Sequence, residues 1–457
     1  MNIHERLAAL GVAVPEILLP RAEDGLADWA VIACDQFTQD RAYWDRLDRT
    51  IGSAPSTLRL IYPEALLDSP DRADRIAAIH RAMKEYRAGD IFAPPRRSLV
   101  YLERATPAAA RRRGLVIALD LERYEWDPAS RPLIRSTEGT VPERLPPRME
   151  IRRGAALETP HIIILIEDEE DALLPALGLI AKNEGAGLYD TPLHPASGRA
   201  AGWALEGDAG LECLASGLER LFERAKTRYG GEYRRTDGSP FLFAVGDGNH
   251  SLATAKAVWE EYKKVHTGEA GLERHPARWA LVELENLYDP GIRFEPIHRL
   301  LTGFSGGAAL QAMRELFAPL PGFTSRPVPG REELSRLVAS QPAKGRFGLA
   351  AGREYVFAET DAPGLATGYL QPLLDSFIQR SRAESRAPGI DIDYIHGEEE
   401  LFHLGEMPGN VGILLPPIPK NGLFETVAAS GPLPRKSFSM GEAAEKRFYL
   451  ECRRLFG

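Results

Sequence analysis

Cysteine is scarce in this chain of 457 residues, which has three: Cys34, Cys213 and Cys452. Their odd number and wide spacing exclude a disulfide framework and give no zinc-binding pattern. No apolar run approaches the roughly 18 residues that a membrane-spanning helix needs, so we expect no membrane segment. The N-terminus also lacks a basic start followed by an apolar stretch and a small-residue cleavage site. We therefore expect a cytoplasmic protein.

Several sequence signatures of nucleotide-binding proteins and hydrolases are missing as well. There is no G-x-x-x-x-G-K-[ST] loop, no glycine-rich dinucleotide fingerprint after an early strand, no H-E-x-x-H and no G-x-S-x-G. A basic excess is also lacking, because the net charge is −9. Basic runs such as Arg111 to Arg113 are short and have acidic residues nearby. We therefore expect no nucleic-acid partner, since such proteins need a concentrated basic surface.

Strand-like and helix-like patterns alternate along most of the chain. This mixture predicts an α/β or α+β architecture with a mixed-sheet core, and the length predicts two or three domains. The pattern changes near residue 270, so we expect one region over residues 1–270 and a second α/β region over residues 271–457. The proline- and arginine-rich segment from Arg131 to Pro147 is expected to be an irregular loop.

The most informative segment runs from Phe241 to Lys264. Five mostly apolar residues lead into a polar, glycine-containing turn, and apolar residues at helical spacing follow, which predicts a strand, a tight loop and a helix. The unpaired N–H groups at a helix start form an anion site. The turn places four functional groups there, on Asp247, Asn249, His250 and Ser251. In the alternative interpretation these residues are an ordinary helix cap and turn.

A second polar cluster lies in the segment 134–148. It consists of Arg135, Ser136, Thr137, Glu138 and Thr140, and it is followed by Arg144 and Arg148. Guanidinium groups suit phosphate oxygens, and a carboxylate beside them can act as a base or hold a metal ion. The alternative is a solvent-exposed loop held by salt bridges.

A third cluster lies near the C-terminus, where Lys436 and Ser437 follow two prolines in Pro432 to Pro434. A lysine in a turn stiffened by proline can present its ammonium group to an anion. This cluster alone is a weak indication of a site.

Taken together, these motifs resemble the domain of unknown function 1015 family. The turn Gly246 to Ser251 is similar to that family's Asp-Gly-His-His-Arg motif, and Arg135 to Thr140 with Arg144 resembles its His-Glu-x-Thr segment and downstream arginine. Pro296 to Arg299 resembles its Pro-Thr-His-Arg, and Pro434 to Ser437 resembles its Pro-Pro-Lys-Ser. The chain is identified as a member of this family over nearly its whole length.

The resemblance implies a ParB/sulfiredoxin-like site, because the same motif occurs in free-serine kinases of that fold. It implies a phosphate cradle at the helix start, made by Asp247, Gly248, Asn249, His250 and Ser251. The chain departs from the motif at two positions, since Asn249 replaces a histidine and Ser251 replaces an arginine. The lost guanidinium removes a phosphate clamp, and we expect Arg144 and Lys436 to supply the missing charge.

The leading hypothesis is therefore a phosphotransferase acting from pyrophosphate or a nucleotide on a small hydroxy compound such as L-serine. Asp247 would bind Mg²⁺ or accept a proton, His250 would contact the transferring group, and Glu138 is the reserve base. Gly248, Asn249, Ser251, Arg144 and Lys436 would hold phosphate, and a final group would bind substrate: Arg135, Ser136, Thr137 and Thr140. A non-catalytic nucleotide- or anion-binding regulator and a phosphate-ester or anhydride hydrolase remain alternatives, and a homo-oligomer is compatible with the sequence.

Overall fold

The computed structural model describes residues 1–21, 26–38, 40–194, 197–229, 239–305, 308–340, 345–384, 389–441 and 445–457. The helices of these segments are α1 Ile3–Ala9, α2 Arg41–Ile51, α3 Arg72–Ala88, α4 Leu145–Arg152, α5 Leu173–Glu184, α6 Asp208–Arg228, α7 Asn249–Val265, α8 Ala309–Phe317, α9 Arg331–Ala339, α10 Ala366–Glu384, α11 Glu398–Gly405 and α12 Leu423–Ser430.

The strands fall into two groups along the chain. Those before residue 290 are β1 Val12–Ala13, β2 Glu16–Ile17, β3 Val31–Ile32, β4 Arg96–Arg97, β5 Leu99–Ala105, β6 Arg112–Asp120, β7 Tyr124–Glu125, β8 Ile134–Ser136, β9 Leu157–Glu158, β10 Ile163–Ile166, β11 Gly187–Pro192, β12 Arg199–Leu205, β13 Phe243–Asp247 and β14 Trp279–Asn286. The later strands are β15 Phe294–Thr302, β16 Thr324–Val328, β17 Gly345–Ala351, β18 Glu354–Thr360, β19 Asp391–His396, β20 Val411–Leu414, β21 Phe438–Met440, β22 Phe448–Tyr449 and β23 Arg453–Arg454.

The chain forms two compact units, and the C-terminal part belongs to both. The first unit comprises Met1–Arg293, Val427–Pro432 and Ala443–Gly457, and the second comprises Phe294–Thr426 and Leu433–Glu442. The boundary that the sequence indicates at residue 270 lies before β14, and β14 is a central strand of the first unit's sheet. The pairing of β14 with β6 and β10 explains why this segment belongs with the first unit.

The first unit is built on a mixed sheet, which confirms the predicted mixed α/β class. Its strand order is β11-β12-β5-β6-β14-β10-β13-β8-β7, and β1 pairs with β6. The pairs β14–β10, β13–β8 and β8–β7 are parallel, and the others along this path are antiparallel. Strands β6 and β10 are buried along their whole length, as expected for strands with both faces covered.

The parallel pair β8–β13 determines where the functional groups lie. Val245 is aligned with Ser136, so the segments that follow the two strands leave the sheet at the same edge. The prediction of an irregular loop from Arg131 to Pro147 was wrong here, because the segment contains β8 and leads into α4. Pro146 stands in the first turn of α4, where a missing N–H costs nothing.

The last residues of the chain return to the first unit. Strand β22 pairs with β3, and β23 pairs with β9. The indole of Trp29 donates to the Leu450 carbonyl at 2.8 Å, and the backbone groups of Leu18 and Cys452 bond to each other. The C-terminal segment is thus an integral part of this core.

The second unit has an antiparallel sheet with the order β16-β18-β17-β20-β15-β19, and β21 pairs with β15. Its apolar core includes Phe317, Phe347 and Leu374, all of which are fully buried. Within the described residues of both units, no helix combines the length and hydropathy needed to cross a bilayer.

The buried His298 on β15 gives this unit a pH-dependent stability. Burial, followed by the neighbouring charge of Arg299, lowers the pKa of His298 to about 4. Its Nδ1 accepts the Leu415 N–H at 3.1 Å, which requires an unprotonated nitrogen. The unfolded state therefore takes up the proton first as the pH falls. The contribution of His298 to the free energy of unfolding is fully present above pH 6.5, and about 3 kcal/mol of it should be lost on acidification to pH 4.

Urea unfolding of the full chain at several pH values, followed by circular dichroism, measures this loss. His298→Asn keeps an acceptor for Leu415 and should flatten the pH dependence between 6.5 and 4. His403→Gln replaces an exposed histidine of the same unit and should leave the profile unchanged. A His298→Asn profile as steep as that of the wild type would contradict the assignment.

Candidate active site

The polar turn lies between β13 and α7, as the sequence predicts. Strand β13 ends at Asp247, Gly248 adopts a left-handed conformation with φ +78°, and α7 begins at Asn249. The helix begins three residues earlier than its apolar pattern indicates, so Asn249, His250 and Ser251 form its first turn. Among the described residues, no side chain caps this helix start. The dipole and the first-turn N–H groups of a 17-residue helix therefore act at this edge of the sheet.

Gly248 is required by both its conformation and its surroundings. A Cβ atom there would lie 3.1 Å from the Cα and Cγ1 atoms of Ile162. We expect Gly248→Ala to destabilise the protein by about 2–4 kcal/mol, combining left-handed strain with overpacking. Gly271→Ala is the matched control, because Gly271 has φ +86° and a Cβ atom added there would meet no atom within 4 Å. Urea unfolding should show that Gly271→Ala lowers the free energy of unfolding by about 1 kcal/mol, the cost of left-handed strain alone. Equal losses for the two variants would contradict overpacking at Gly248.

Asp247 forms an ion pair with a residue from the C-terminal segment. Its Oδ2 lies 3.2 Å from Lys446 Nζ, and its Oδ1 accepts the Gly248 N–H at 2.9 Å. Burial acts to raise the pKa of Asp247, but the positive charge of Lys446, together with His161 and these hydrogen bonds, brings the pKa below its ordinary value. The carboxylate is therefore ionised, and Lys446 is held beside the start of α7.

Ser251 contacts His161, which lies just before β10, the strand that pairs with β13. Ser251 Oγ lies 2.7 Å from His161 Nε2, and His161 Nδ1 lies 3.1 Å from the Tyr449 hydroxyl. That hydroxyl also accepts the Cys34 N–H at 3.1 Å. Burial, with Cys34 and Asp35 nearby, raises the pKa of Tyr449 well above its ordinary value, so the phenol stays protonated.

A second ionic pair lies next to Cys34. Arg148 Nε donates to Glu64 Oε1 at 2.9 Å, and the Glu64 N–H donates to the Cys34 carbonyl at 2.8 Å. Burial raises the pKa of Glu64, although Arg148 partly offsets the effect, and Asp35 raises it further. Burial also raises the pKa of the Cys34 thiol, which favours its protonated form.

The second predicted cluster does meet the turn. His250 Nε2 accepts the Val141 N–H at 3.2 Å, and Thr137 Oγ1 donates to the Val245 carbonyl at 2.6 Å. Thr140 lies between these two contact points in the sequence. The segment 137–141 is thus fastened alongside the start of α7, and Glu138 belongs to the same segment.

Arg135 and Ser136 have internal partners. Arg135 Nε donates to the Pro132 carbonyl at 3.0 Å, and its guanidinium lies 4.7 Å from the centre of the Phe241 ring. Ser136 Oγ lies 3.0 Å from the Tyr124 hydroxyl. Both residues also line a small surface pocket together with Glu125, Trp126, Asp127, Ser130, Arg131, Pro132, Val427, Gly431 and Pro432. Their role as substrate ligands stays a prediction.

Arg144 and Lys436, which were predicted to supply positive charge at the turn, have different surroundings from Lys446. Arg144 is exposed at the start of α4, where its carbonyl accepts from Arg148 Nη1 at 2.7 Å. Lys436 belongs to the second unit, has φ +58°, and its carbonyl accepts from Arg299 Nη1 at 2.9 Å. Phosphate binding by Arg144 and Lys436 stays a prediction, and the ammonium that contacts Asp247 is that of Lys446.

The residues at the turn do not fit a Mg²⁺ ion held by the protein alone. Mg²⁺ prefers carboxylate oxygens in octahedral geometry, but both oxygens of Asp247 already have partners, Lys446 and the Gly248 N–H. In the part of the chain that the structure describes, no group of three or more His, Cys, Asp or Glu side chains could hold a metal ion. The role of Asp247 as a metal ligand stays a prediction, and the structure pairs its carboxylate with Lys446.

Sequence reasoning missed Lys446, His161, Tyr449 and Glu64. His161 directly precedes the apolar run of β10, so it could have been placed at the sheet edge that also holds Asp247. Lys446 and Tyr449 carry no comparable local signal, since only the return of the C-terminal segment brings them to the turn.

Solved structures with some similarity to the chain share little sequence with it. A conserved hypothetical protein from Pyrococcus furiosus has 12% identity and a TM-score of 0.34, covering 75% of this chain and 95% of its own. A free serine kinase in complex with AMP has 10% identity and a TM-score of 0.36, covering 73% and 90%. SbnI with a C-terminal truncation, from Staphylococcus aureus, has 8% identity and a TM-score of 0.34, covering 75% and 83%.

No curated protein matches the sequence. The model of one protein family, described as a protein of unknown function (DUF1015), matches residues 16–377. This match covers most of the chain and includes β8, β10, β13 and α7, although Lys446 and Tyr449 lie beyond it. The chain belongs to the DUF1015 family.

Proposed function

We propose that the chain is a phosphotransferase that moves a phosphoryl group from pyrophosphate or a nucleotide to a small hydroxy compound such as L-serine. The observation that carries the proposal is the Asp247–Lys446 ion pair beside the start of α7, which no described side chain caps. Phosphoryl transfer needs little covalent chemistry from the protein and depends on positioning anions and neutralising charge. A fixed ammonium beside a helix start supplies both.

The donor phosphates would lie against the first turn of α7. The N–H groups of a first helical turn point toward such a ligand. Lys446 has three N–H donors, of which Asp247 occupies one. Lys446 would neutralise a phosphate oxygen, while Asp247 acts as its positioning residue.

Asp247 is a poor candidate for the base that accepts the proton of the substrate hydroxyl. A carboxylate whose pKa is lowered is a weak base, whereas a raised pKa suits proton transfer near neutral pH. Glu64 has a raised pKa and lies beside Cys34, close enough to His161 for their charges to interact. For a direct transfer from donor to acceptor, Glu64 is therefore the stronger candidate base, and Glu138 in the segment 137–141 is the second.

A polar acceptor of small size fits the groups at the turn. Asn249 Oδ1 is buried and has no hydrogen-bond partner among the described residues. A buried carbonyl oxygen without a donor costs about 1–3 kcal/mol. An ammonium or hydroxyl group of the substrate would satisfy it, and L-serine carries both groups.

The test is a transfer assay with the purified full chain. ATP, ADP or pyrophosphate is supplied as donor, each with and without MgCl₂, together with L-serine or one of a panel of small alcohols. Phosphorus NMR should reveal a phosphorylated acceptor with at least one donor. Formation of inorganic phosphate alone would indicate the hydrolase, and thermal stabilisation by a nucleotide without any product would indicate the regulator; either result would contradict the phosphotransferase.

A further inference from the structure

The contact between Ser251 and His161 has the geometry of an activated nucleophile. The Oγ–Nε2 distance of 2.7 Å is within the range for a hydroxyl and its general base. Both side chains are partly exposed, so a substrate can reach them. Ser251 is the third residue of α7 and therefore lies in the turn where the donor phosphates would bind.

Tyr449 holds the histidine ring in place from its other side. Its hydroxyl oxygen accepts the Cys34 N–H and lies 3.1 Å from His161 Nδ1. In the tautomer with the proton on Nδ1, His161 donates to this oxygen, and its Nε2 is left to accept the Ser251 proton. A nucleophile, a base and a group that orients the base are thus arranged in sequence.

The charges around this triad favour attack on phosphorus. Lys446 lies 3.2 Å from Asp247, four residues before Ser251, and the positive end of the α7 dipole acts at the same turn. An ammonium and backbone N–H groups would stabilise the negative charge on the equatorial oxygens during transfer. A hydrogen bond between Ser251 and His161 that served only the fold would not require an ammonium and a helix start at the same turn.

We propose that Ser251 is the nucleophile of a double displacement and carries the phosphoryl group as phosphoserine; this inference rests on the proposed function. In the first step the Oγ–P bond forms while the bond from phosphorus to the bridging oxygen of the donor breaks. The departing oxygen keeps the electron pair. The Ser251 proton passes to His161 Nε2 and then to the departing group.

The second step regenerates the serine. The hydroxyl oxygen of the acceptor attacks phosphorus, and its proton passes to His161 Nε2. The Oγ–P bond breaks with its electron pair on Oγ, which takes the proton back from His161. The donor has then lost one phosphoryl group, the acceptor has gained it, and the protein is unchanged.

The experiment incubates the full chain with donor labelled in the transferable phosphate, in the absence of acceptor. Peptide mapping by mass spectrometry should place one phosphoryl group on Ser251 of the wild type. The label should survive acid, as phosphoserine does, and adding acceptor should remove it. Ser251→Ala should lose the label and about 100-fold or more of the transfer rate. Ser216→Ala, which removes a serine on α6, should retain both.

His161→Ala provides a second and independent readout. Labelling should slow by about 100-fold, and added imidazole should restore part of the rate, because a small base can occupy the vacated space. Rescue by imidazole would not occur if His161 served only the fold.

Two results would overturn the inference without touching the proposed function. One is transfer to acceptor at the wild-type rate in a folded Ser251→Ala variant, and the other is an acid-labile label that maps to a histidine. Label on Ser251 without transfer to any acceptor would support the nucleophile and contradict the phosphotransferase. Neither label nor product with any donor would overturn both.

Discussion

Replacing Lys446 with methionine is expected to lower kcat/KM for phosphoryl transfer by about 10²–10³-fold, the usual cost of removing one group that stabilises transition-state charge. Methionine retains the apolar length of the side chain and removes the ammonium. Arg148, a cation of the same candidate site, is paired with Glu64.

The same substitution leaves Asp247 without its counter-ion. A largely buried carboxylate that loses its partner costs about 1–3 kcal/mol, and the pKa of Asp247 should rise. The double variant Asp247→Asn/Lys446→Met removes both charges, so it should recover stability but not activity. Recovery of activity in the double variant would show that Lys446 serves only to neutralise Asp247.

Lys182→Met is the control for the activity measurement. Lys182 also forms a carboxylate pair, with Glu103 at 2.8 Å, but it lies on α5 and its side chain is 39% exposed. Loss of an exposed pair of this kind changes stability by at most about 1 kcal/mol, and it should not change kcat/KM. Steady-state rates for the three variants, at donor and acceptor concentrations that span KM, separate the two effects.

Arg447→Met is expected to lower the free energy of unfolding by about 3–5 kcal/mol, because it removes the cation of a buried ion pair and leaves the carboxylates in place. Arg447 Nη1 lies 3.0 Å from Glu283 Oε2, and its Nη2 donates to Glu451. All three side chains are at most 1% exposed. Methionine would leave both carboxylates with fewer opposing charges in a medium of low polarity.

The surrounding network makes this position especially sensitive. Arg104 Nη2 lies 3.2 Å from Glu283 Oε1 and 2.6 Å from Glu285 Oε1, and Arg112 also contacts Glu285. Three guanidinium groups therefore balance three carboxylates over the sheet. Burial raises the pKa of Glu285, and the neighbouring charge of Glu283 raises it further, while Arg104 and Arg447 outweigh burial at Glu283 and lower its pKa.

Arg454→Met is the matched control for this prediction. Arg454 lies in the same C-terminal segment, but its pair with Glu16 has a distance of 3.7 Å and side chains that are 57% and 50% exposed. Its replacement should cost less than about 1 kcal/mol. Urea unfolding followed by tryptophan fluorescence reports on the correct unit, because all six tryptophans lie in it. Equal costs for the two variants would contradict the account of the buried network.

The sequence predicted the strand, turn and helix around Asp247 because local patterns determine them. Apolar residues before Gly246 and helical spacing after Ser251 need no information from the rest of the chain. The segment 131–147 was harder, since its prolines suggested a loop although proline is compatible with the first turn of α4. Its strand β8 has only three residues and is specified by pairing with β13 rather than by its own pattern.

The identity of the cation at the turn could not be read from the sequence. Lys436 belongs to the motif Pro434 to Ser437 and was therefore predicted to bind phosphate, whereas Lys446 lies in a segment without any motif. Its place beside Asp247 depends on β22 pairing with β3 and on Arg447 entering the buried network. Contacts between residues so far apart along the chain are determined by the tertiary fold, and no local pattern in the sequence indicates them.

A parallel transfer measurement tests whether Lys446 and the start of α7 bind and polarise a transferable phosphate. Phosphate labelled in the donor is followed to L-serine, or to the alcohol that the panel identifies, with wild type, Lys446→Met and Lys182→Met. We expect product from the wild type and Lys182→Met, and at least about 100-fold less from Lys446→Met. A Lys446→Met variant that transfers phosphate at the wild-type rate would contradict this role of Lys446.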